Sequence, residues 1–444
     1  MSSPAPSPST DERPLAGRAI AVIGGATAGA EVAGRLAEAG ARVVVFEQNR
    51  RPYGKIEDGL PRWHVELRRK EYRTIDAKLS QPGVEFVPAT RVGRDVSFEE
   101  IANEWGFHAV VLANGAWRDR PLPIEGADAY VGRGLVYQNP FIIWFNHAGE
   151  KDWQGPRFEP ADDVLVVGGG LASIDVAKVL MLETTRAKLR ERGIEADLVE
   201  LEVKGIPKVL ERHGLRFEDL GLEGCTLFYR RRLEDMPLVE MPEDATPDRR
   251  AKVEGARRKL LEKAIEKYRF RVEPLAAPDG LIVEDGRLVG LRFRRTKIEN
   301  GKLVATDETF ERRGAYVVSS IGSIPDPIPG IEMKGELFAF SDWELGRLAA
   351  WPTVFSAGNV VTGKGNIVAS RKHASQVAER MVGELRARAG ELADAVASAV
   401  AAKPPHDAAT MEKLEARVRA RQAAVGYPGD YATWIARVTP PDLE

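Results

Sequence analysis

A glycine-rich turn that joins a run of Val and Ile to a helix-like stretch occurs twice in this chain, at residues 24–29 and 168–173. Glycine at such a strand–turn–helix lets the backbone approach a pyrophosphate, because no side chain blocks the way. A single turn is a weak signal, since glycine also serves packing alone. Two turns about one domain apart predict an α/β fold with two Rossmann-like dinucleotide-binding domains.

The strands that follow distinguish the two turns. After the first turn, the strand ARVVVFE ends in Glu47, at the position expected for a carboxylate that binds ribose hydroxyls. The first turn therefore predicts an FAD site. Ala26 stands where the second glycine of the motif is expected, so we expect tighter clearance for the pyrophosphate. A site that has lost its ligand is the alternative.

After the second turn, the strand CTLFYRRRLEDMP ends in Arg230, Arg231 and Arg232 instead of an acid. Guanidinium groups at this position suit the 2′-phosphate of NADPH, with Arg230 and Arg231 as the expected ligands. A solvated basic surface is the alternative. Ser173 replaces the third glycine of this turn, and Asp175 either orients the turn or caps its N–H groups.

Length and composition limit the remaining possibilities. A chain of 444 residues exceeds what one core usually organises, so two domains with tails are expected. The 64 basic and 66 acidic residues argue against nucleic acid as the main partner. No apolar run reaches the roughly 18 residues of a membrane span, and the polar, proline-rich start is not a secretory signal. These features predict a soluble, cytoplasmic protein, and no metal site is predicted.

Cys225 is the only cysteine of the chain. A dithiol pair needs a second cysteine, and an iron–sulfur cluster typically needs about four. Neither can be built within this chain. Cys225 begins a predicted strand, where a buried small hydrophobe is favoured over a reactive thiol.

Four regions are expected along the chain. Residues 1–16 form a flexible start, 17–125 with 326–390 form the FAD domain, 160–325 form an inserted NADPH domain, and 391–444 form a tail. Within the second domain we expect a helix over 174–192, an insertion near 193–224 and a hairpin that turns at Asp285 and Gly286. The aromatic tail residues Tyr427, Tyr431 and Trp434 predict docking, either back near the nicotinamide side or on a partner subunit.

The segments VIGGATAG, FEQNRRPYGK, VVLANGAW, GGGLASIDVAK, FYRRRLEDMP, SSIGSIPDPIPG and FSAGNVVTGKGNI follow one another in this order. Their order resembles the family of adrenodoxin reductase and the glutamate synthase small subunit. The resemblance implies FAD and NADPH domains in one chain, hydride transfer from NADPH to flavin, and a ferredoxin as acceptor. The cluster-binding cysteines of the glutamate synthase subunit are missing here, so electrons would leave directly from the flavin.

The resemblance also implies which residues contact each cofactor. Asn114 and Asn359 depart from the family pattern, in which Thr and Asp are usual, and Asn359 can still hydrogen-bond a ribityl hydroxyl. The FAD contacts implied are Glu47 with Gly24, Gly25, Ala26, Ala28, Gly29, Gly54, Lys55, Ala113, Asn114, Gly115, Gly358, Asn359, Gly365, Asn366 and Ile367. The NADPH contacts implied are Gly168, Gly170, Leu171, Ala172, Arg230 and Arg231.

Hydride transfer between two cofactors requires stacking and orientation more than acid–base side chains, so no catalytic residue is assigned. A basic surface could meet an acidic ferredoxin, with a solvated helix face as the alternative. Two other functions stay open: an NADPH-dependent flavoenzyme acting on a small organic substrate, and a non-catalytic flavoprotein subunit. The residues of the basic surface are Arg62, Arg68, Arg69, Lys70 and Arg73.

Overall fold

The structure is a computed structural model that describes residues 13–151, 153–242, 244–363, 365–386 and 403–440. The expected flexible start falls almost entirely outside this range, as do residues 387–402 of the expected FAD domain and tail. The chain divides into two compact units. The first contains Met1–Leu60, Val65–Arg118 and Ser323–Glu444, and the second contains Pro61–His64 and Asp119–Gly322.

The first unit is built on a parallel five-stranded sheet. Its strands are near-continuous runs of Val, Ile and Ala, as expected for a sheet that is covered on both faces. The order across the sheet is Val354–Ser356, Ala109–Leu112, Ala19–Ile23, Arg42–Phe46 and Val84–Val87. Its helices are Thr27–Glu38, Lys55–Asp58, Val65–Leu79, Glu100–Glu104, Asn359–Thr362, Ile367–Arg386, Ala408–Ala424 and Tyr431–Val438, and its short strands are Met333–Lys334, Leu337–Phe338, Phe340–Asp342 and Arg347–Leu348.

The register of this sheet brings four chain segments to one edge. Ile23 pairs with both Phe46 and Leu112, and Leu112 pairs with Ser356. Because all these strands are parallel, the residues that follow them meet at the carboxyl edge, where ligands bind in open α/β sheets. The first glycine turn and Glu47 therefore lie at the same edge.

The second unit repeats the architecture. Its parallel sheet has the order Leu135–Tyr137, Val317–Ser320, Leu165–Gly168, Thr226–Tyr229 and Arg271–Pro274, and a separate antiparallel sheet is formed by Ala276–Glu284, Arg287–Glu299 and Lys302–Arg313. Its helices are Ala127–Tyr130, Gln138–His147, Leu171–Glu191, Leu198–Lys204, Ile206–Glu211, Phe217–Leu220, Leu233–Asp235 and Pro247–Tyr268. The short strands Arg118–Asp119 and Ser323–Ile324 lie where the chain passes from one unit to the other.

Several expectations change in the second unit. The segment expected to be an insertion near 193–224 forms helices whose Leu201 and Leu210 are fully buried, so it is part of the core. Residues 119–125, expected in the FAD domain, belong to this unit together with 126–159, which carry a strand and two helices. The predicted hairpin turn is confirmed, since Asp285 and Gly286 have φ values of +48° and +72°.

The described part of the tail folds back onto the first unit. Gln422 Nε2 donates to the Phe86 carbonyl oxygen at 2.9 Å, which places the helix Ala408–Ala424 against the edge strand Val84–Val87. Trp434 is only 1 % exposed. Docking within the chain is therefore confirmed. The described tail residues make these contacts within the first unit, and their expected position near the nicotinamide side stays a prediction.

Candidate dinucleotide sites

The first glycine turn is closed by its own backbone. A Cβ atom at Gly29 would lie 1.8 Å from the Gly24 carbonyl oxygen, and one at Gly24, where φ is +100°, would lie 2.6 Å from the Ala113 carbonyl oxygen. Neither position can carry a side chain in this backbone. The glycines therefore bring the start of the helix Thr27–Glu38 directly against the strand ends.

The start of this helix has no side-chain cap among the described residues. Its N-cap residue, Ala26, supplies no side-chain hydrogen bond, and no acidic residue lies in the first turn. Asp197, Asp407 and Asp430, in contrast, cap other helices through their carboxylates. Uncapped N–H groups at a helix start attract an anion such as a pyrophosphate.

Glu47 is buried beside this turn and is 4 % exposed. Its Oε2 accepts from the Gly25 N–H and its Oε1 from the Asn49 N–H, both at 2.8 Å. Burial raises the pKa of Glu47 to about 7, and these two N–H groups oppose the shift. A carboxylate oxygen has further lone pairs, so Glu47 can also accept from ribose hydroxyls.

Gly54 compensates for the alanine at position 26. Gly54 has a φ of +51°, and a Cβ atom there would lie 2.8 Å from the Ala26 Cβ. The methyl group that Ala26 adds to the turn is therefore accommodated by a glycine in the loop that follows Glu47. The next residue, Lys55, donates from Nζ to Ser323 Oγ at 3.0 Å.

The two remaining strand ends reach the same turn. Asn114 Oδ1 is buried and has no hydrogen-bond partner among the described residues, so it lacks a donor. Ala113 and Gly115 flank it. At Gly358 a Cβ atom would lie 2.5 Å from the Ala28 Cβ, so this glycine allows its segment to cross the start of the first helix.

The Asn359 side chain forms a local hydrogen bond instead of being free for a ribityl hydroxyl. Its Oδ1 accepts from the Gly365 N–H at 2.8 Å, while Asn366 Oδ1 accepts from the Ala369 N–H at the start of the helix Ile367–Arg386. The expected bond from a ribityl hydroxyl to Asn359 Oδ1 would have to share this acceptor. Asparagine side chains commonly close local turns in this way.

The second glycine turn is open at Gly170. A Cβ atom at Gly168 would lie 2.4 Å from the Ser320 carbonyl oxygen and one at Gly169 would lie 2.2 Å from the Tyr229 ring, but at Gly170 it would meet nothing within 4 Å. Gly170 is the N-cap of the helix Leu171–Glu191 and provides no side-chain cap. Leu171 is 50 % exposed, and Ala172 is exposed as well. The Ser173 N–H donates to the Gly170 carbonyl oxygen at 3.1 Å, so within the described residues the helix start offers the N–H groups of Leu171 and Ala172, with space beside Gly170.

The three arginines have different surroundings. Arg232 donates twice to the Asp235 carboxylate, at 3.2 and 3.0 Å, and Arg231 Nε lies 3.5 Å from the same group. Arg230 is exposed and makes no ion pair within the described ranges. A free guanidinium is the one that can receive a phosphate, so the geometry favours Arg230 over Arg231.

A buried ion cluster behind the second turn was not foreseen. Lys178, 7 % exposed, places its Nζ 2.7 Å from Glu202 Oε1 and 3.8 Å from Asp175 Oδ1. Burial raises the pKa of Asp175 to about 6, and Lys178 opposes the shift. Asp175 thus pairs with a lysine and does not cap the turn. Glu202 could not be recognised because it lies in the segment interpreted as an insertion.

Arg68 does not belong to the expected basic surface. Arg68 is 4 % exposed and donates to the Glu57 carbonyl oxygen at 3.1 Å, so it is structural. Arg69 pairs with Glu66 on the exposed face of the helix Val65–Leu79, where Lys70 and Arg73 are also exposed. Arg62 belongs to the second unit.

Three further features lie outside the two glycine turns. Cys225 is 1 % exposed and burial raises its pKa to about 12, which confirms the interpretation as a buried hydrophobe. Among the described residues, no group of three or more His, Cys, Asp or Glu side chains could hold a metal ion. In the same part of the chain, every helix is too short or too polar to cross a membrane.

Two parallel sheets, each with an uncapped glycine turn at its carboxyl edge, define a protein with two dinucleotide-binding folds. Residues 18–204 match the family described as pyridine nucleotide-disulphide oxidoreductase. The chain is 36 % identical over 169 residues to the glutamate synthase [NADPH] small chain of Mycobacterium tuberculosis, an alignment that covers 37 % of this chain and 33 % of that relative. The match thus spans only about a third of that relative's length.

Two longer matches agree with this one. The chain is 24 % identical over 419 residues to the mitochondrial NADPH:adrenodoxin oxidoreductase of Arabidopsis thaliana, covering 85 % of this chain and 83 % of that protein. The solved structure of Mycobacterium tuberculosis FprA in complex with NADPH superposes with a TM-score of 0.67 at 19 % identity, covering 91 % and 90 % of the two chains. The resemblance stated from the sequence and the predicted fold class are confirmed.

Proposed function

We propose that the chain is an FAD-dependent NADPH oxidoreductase of the ferredoxin–NADP reductase type. It passes a hydride from NADPH to flavin and then electrons to an acceptor, most simply a ferredoxin. One observation carries the proposal: two uncapped helix starts lie at the carboxyl edges of two parallel sheets, one beside the buried acid Glu47 and the other in the unit with the free Arg230. The names of the glutamate synthase and adrenodoxin relatives support it.

The residues at the first turn fit FAD. Bound FAD would supply a two-electron acceptor that can release its electrons singly. Glu47 would accept from the ribose hydroxyls, and the N–H groups at the start of the helix Thr27–Glu38 would face the pyrophosphate. Asn114 Oδ1 is buried with no donor among the described residues, so it could accept a hydrogen bond from bound FAD. The chain itself thus contributes binding and orientation.

The residues at the second turn fit NADPH. The open space at Gly170 allows the backbone to approach a pyrophosphate, and the Arg230 guanidinium suits a 2′-phosphate. Because Arg232 is held by Asp235, it would shape the loop and not bind the phosphate. The distribution of roles among the three arginines is therefore part of the proposal.

Two features of the chain favour a separate redox protein as the electron acceptor. Cys225 is the only cysteine and is buried, so no internal dithiol can carry electrons onward. The exposed Lys70 and Arg73 would contribute to a docking surface for an acidic ferredoxin. A cytoplasmic location, expected from the sequence, stays part of this proposal.

The test begins with the visible spectrum of the purified protein supplied with FAD. We expect oxidised-flavin bands, their bleaching by NADPH without oxygen, and cytochrome c reduction that depends on added ferredoxin. Gly24→Leu places atoms where the Ala113 carbonyl lies and should give colourless protein. If wild-type protein takes up no FAD, the proposal is wrong. If flavin is reduced but ferredoxin has no effect, only the acceptor is wrong.

A further inference from the structure

The C-terminal segment 427–438, called the clamp below, holds the loop 47–54 that follows the acid of the first turn. We propose that the clamp is a positioning element of the FAD site. Trp434 and Tyr431 keep that loop in the conformation that aligns Glu47 and Gly54 for the adenosine half of FAD. This inference rests on the proposed function, because it assigns the ligand of the first turn to FAD.

Trp434 forms the direct connection. Its indole Nε1 donates to the Arg50 carbonyl oxygen at 2.7 Å, and the side chain is 1 % exposed. Arg51 adds a second bond by donating from Nη1 to the Val438 carbonyl oxygen at 3.3 Å. The Trp434 bond thus holds the loop backbone at Arg50, next to Asn49, whose N–H donates to Glu47 Oε1.

Tyr431 forms an indirect connection through a shared carboxylate. Its hydroxyl donates to Asp76 Oδ1 at 2.7 Å, and the Tyr53 hydroxyl donates to the same oxygen at 3.1 Å. Tyr53 immediately precedes Gly54 and is 4 % exposed, with its ring stacked on Tyr72 at 3.9 Å. Asp76 therefore links the clamp to the residue that positions Gly54.

A third contact reaches the turn itself. The Tyr431 ring packs edge-on against Phe86 at 5.2 Å between centroids. Phe86 in turn lies against Gly25, because a Cβ atom there would be 3.5 Å from the Phe86 ring. Gly25 is the residue whose N–H donates to Glu47. The clamp thus contacts the loop, the carboxylate network and the wall of the turn.

Two conservative variants test the clamp. Trp434→Phe keeps an aromatic ring but removes the bond to Arg50, and Tyr431→Phe removes only the oxygen that reaches Asp76. Each loses a hydrogen bond worth about 1 kcal/mol, so we expect FAD dissociation constants to rise about fivefold for each variant. NADPH affinity should stay unchanged, since Arg230 and the second turn belong to the other unit.

Trp351→Phe is the matched control. Trp351 also lies in the first unit and donates from its indole nitrogen to a backbone carbonyl, that of Gly330 at 3.1 Å, but it packs on a different apolar cluster. Its loss should lower the unfolding midpoint without changing FAD affinity. Affinities are measured well below the unfolding midpoint of every variant, so that general destabilisation does not alter them.

Hydrogen exchange of the FAD-free protein provides a readout that needs no cofactor. Peptides covering residues 47–54 should exchange faster in Trp434→Phe and Tyr431→Phe than in wild type or Trp351→Phe. Unchanged exchange together with unchanged FAD affinity would overturn the clamp. If wild-type protein binds no FAD but exchange in the loop still rises, the clamp exists and the proposed function fails. If wild-type protein binds FAD and the variants match it in both measurements, the proposed function stands and the clamp is overturned.

Discussion

The two glycine turns share one topology, and a Cβ atom would clash with backbone at both Gly24 and Gly168, but the turns differ at the second glycine position of the motif. In the first turn a Cβ atom at Gly24 or Gly29 would clash with a backbone oxygen, the Ala26 methyl group lies beside Gly54, and the proposed ribose ligand Glu47 is buried and already hydrogen-bonded. In the second turn Gly170 faces open space, and Arg230, the proposed phosphate ligand, is exposed and unpaired within the described ranges. A preformed, buried site suits a cofactor that stays bound, and an open one suits a cofactor that exchanges. This difference matches the proposed roles of FAD and NADPH.

The largest expected difference between the turns is the stability lost on substitution at the third glycine position of the motif. This position is Gly29 in the first turn and Ser173 in the second. Gly29→Ala would force a methyl group to within 1.8 Å of the Gly24 carbonyl oxygen, so the free energy of unfolding should fall by about 4 kcal/mol or more, with loss of flavin. Ser173→Ala removes only the bond from Oγ to the Gly170 carbonyl oxygen, and about 1 kcal/mol is expected. Urea unfolding of both variants measures the difference. Equal stability losses would show that the two turns are packed alike.

The second effect concerns the open turn. Arg230→Ala should raise the Michaelis constant for NADPH about tenfold and leave that for NADH nearly unchanged, because only NADPH carries the 2′-phosphate. Arg232→Ala is the control, since its guanidinium is occupied by Asp235. Steady-state kinetics with both nucleotides provide the measurement. A larger NADPH effect in the Arg232 variant than in the Arg230 variant would reverse the assignment.

The third effect is a pH dependence confined to the closed turn. Burial raises the pKa of Glu47 to about 7, so the free protein retains this proton at mildly acidic pH, whereas ribose hydroxyls donate best to the ionised carboxylate. FAD affinity should therefore fall as pH drops from 8 to 6, by at most about tenfold per pH unit. Equilibrium titration of the FAD-free protein at several pH values measures this slope.

Glu47→Gln supplies the control for this slope, because an amide does not titrate. The variant should bind FAD weakly but with little dependence on pH over the same range. The folding stability of the FAD-free wild-type protein should show the opposite pH dependence. An acid whose pKa is raised in the folded state stabilises that state below the unfolded pKa, and this contribution is lost as the pH rises towards 7. A wild-type affinity that is flat between pH 6 and 8 would contradict the assigned protonation.

The sequence was sufficient for features that depend on local chain geometry. Strand–turn–helix units, the Glu47 position and the hairpin turn at Asp285 and Gly286 follow from residue order alone, because each involves neighbours in the chain. The sequence was insufficient for features that depend on contacts between segments far apart in the chain. Arg68 and the arginine cluster look alike as basic runs, but only the fold shows that Arg68 is buried against Glu57 and that Asp235 occupies Arg232. Likewise, the burial of Leu201 and Leu210 could not be recognised because their partners lie on other helices.

The smallest expected effect tests how the closed turn accommodates Ala26. Gly54→Ala would bring two methyl groups to 2.8 Å and place a side chain at a φ of +51°, so both a contact and a backbone cost are expected. Ala26→Gly should by itself change stability by less than about 1 kcal/mol, because glycine is accepted at a helix N-cap.

The double variant separates the two costs. Removing the Ala26 methyl relieves the contact but not the backbone strain at position 54, so Ala26→Gly/Gly54→Ala should recover about 1 kcal/mol relative to Gly54→Ala alone. Urea unfolding of the four proteins gives the coupling energy, and FAD titration shows whether the recovered stability restores binding. A coupling energy of zero would mean that Gly54 is required only for its backbone conformation. Position 26 could then carry its methyl group without help from the loop, and the first turn would be less tightly closed than the packing of Gly24 and Gly29 implies.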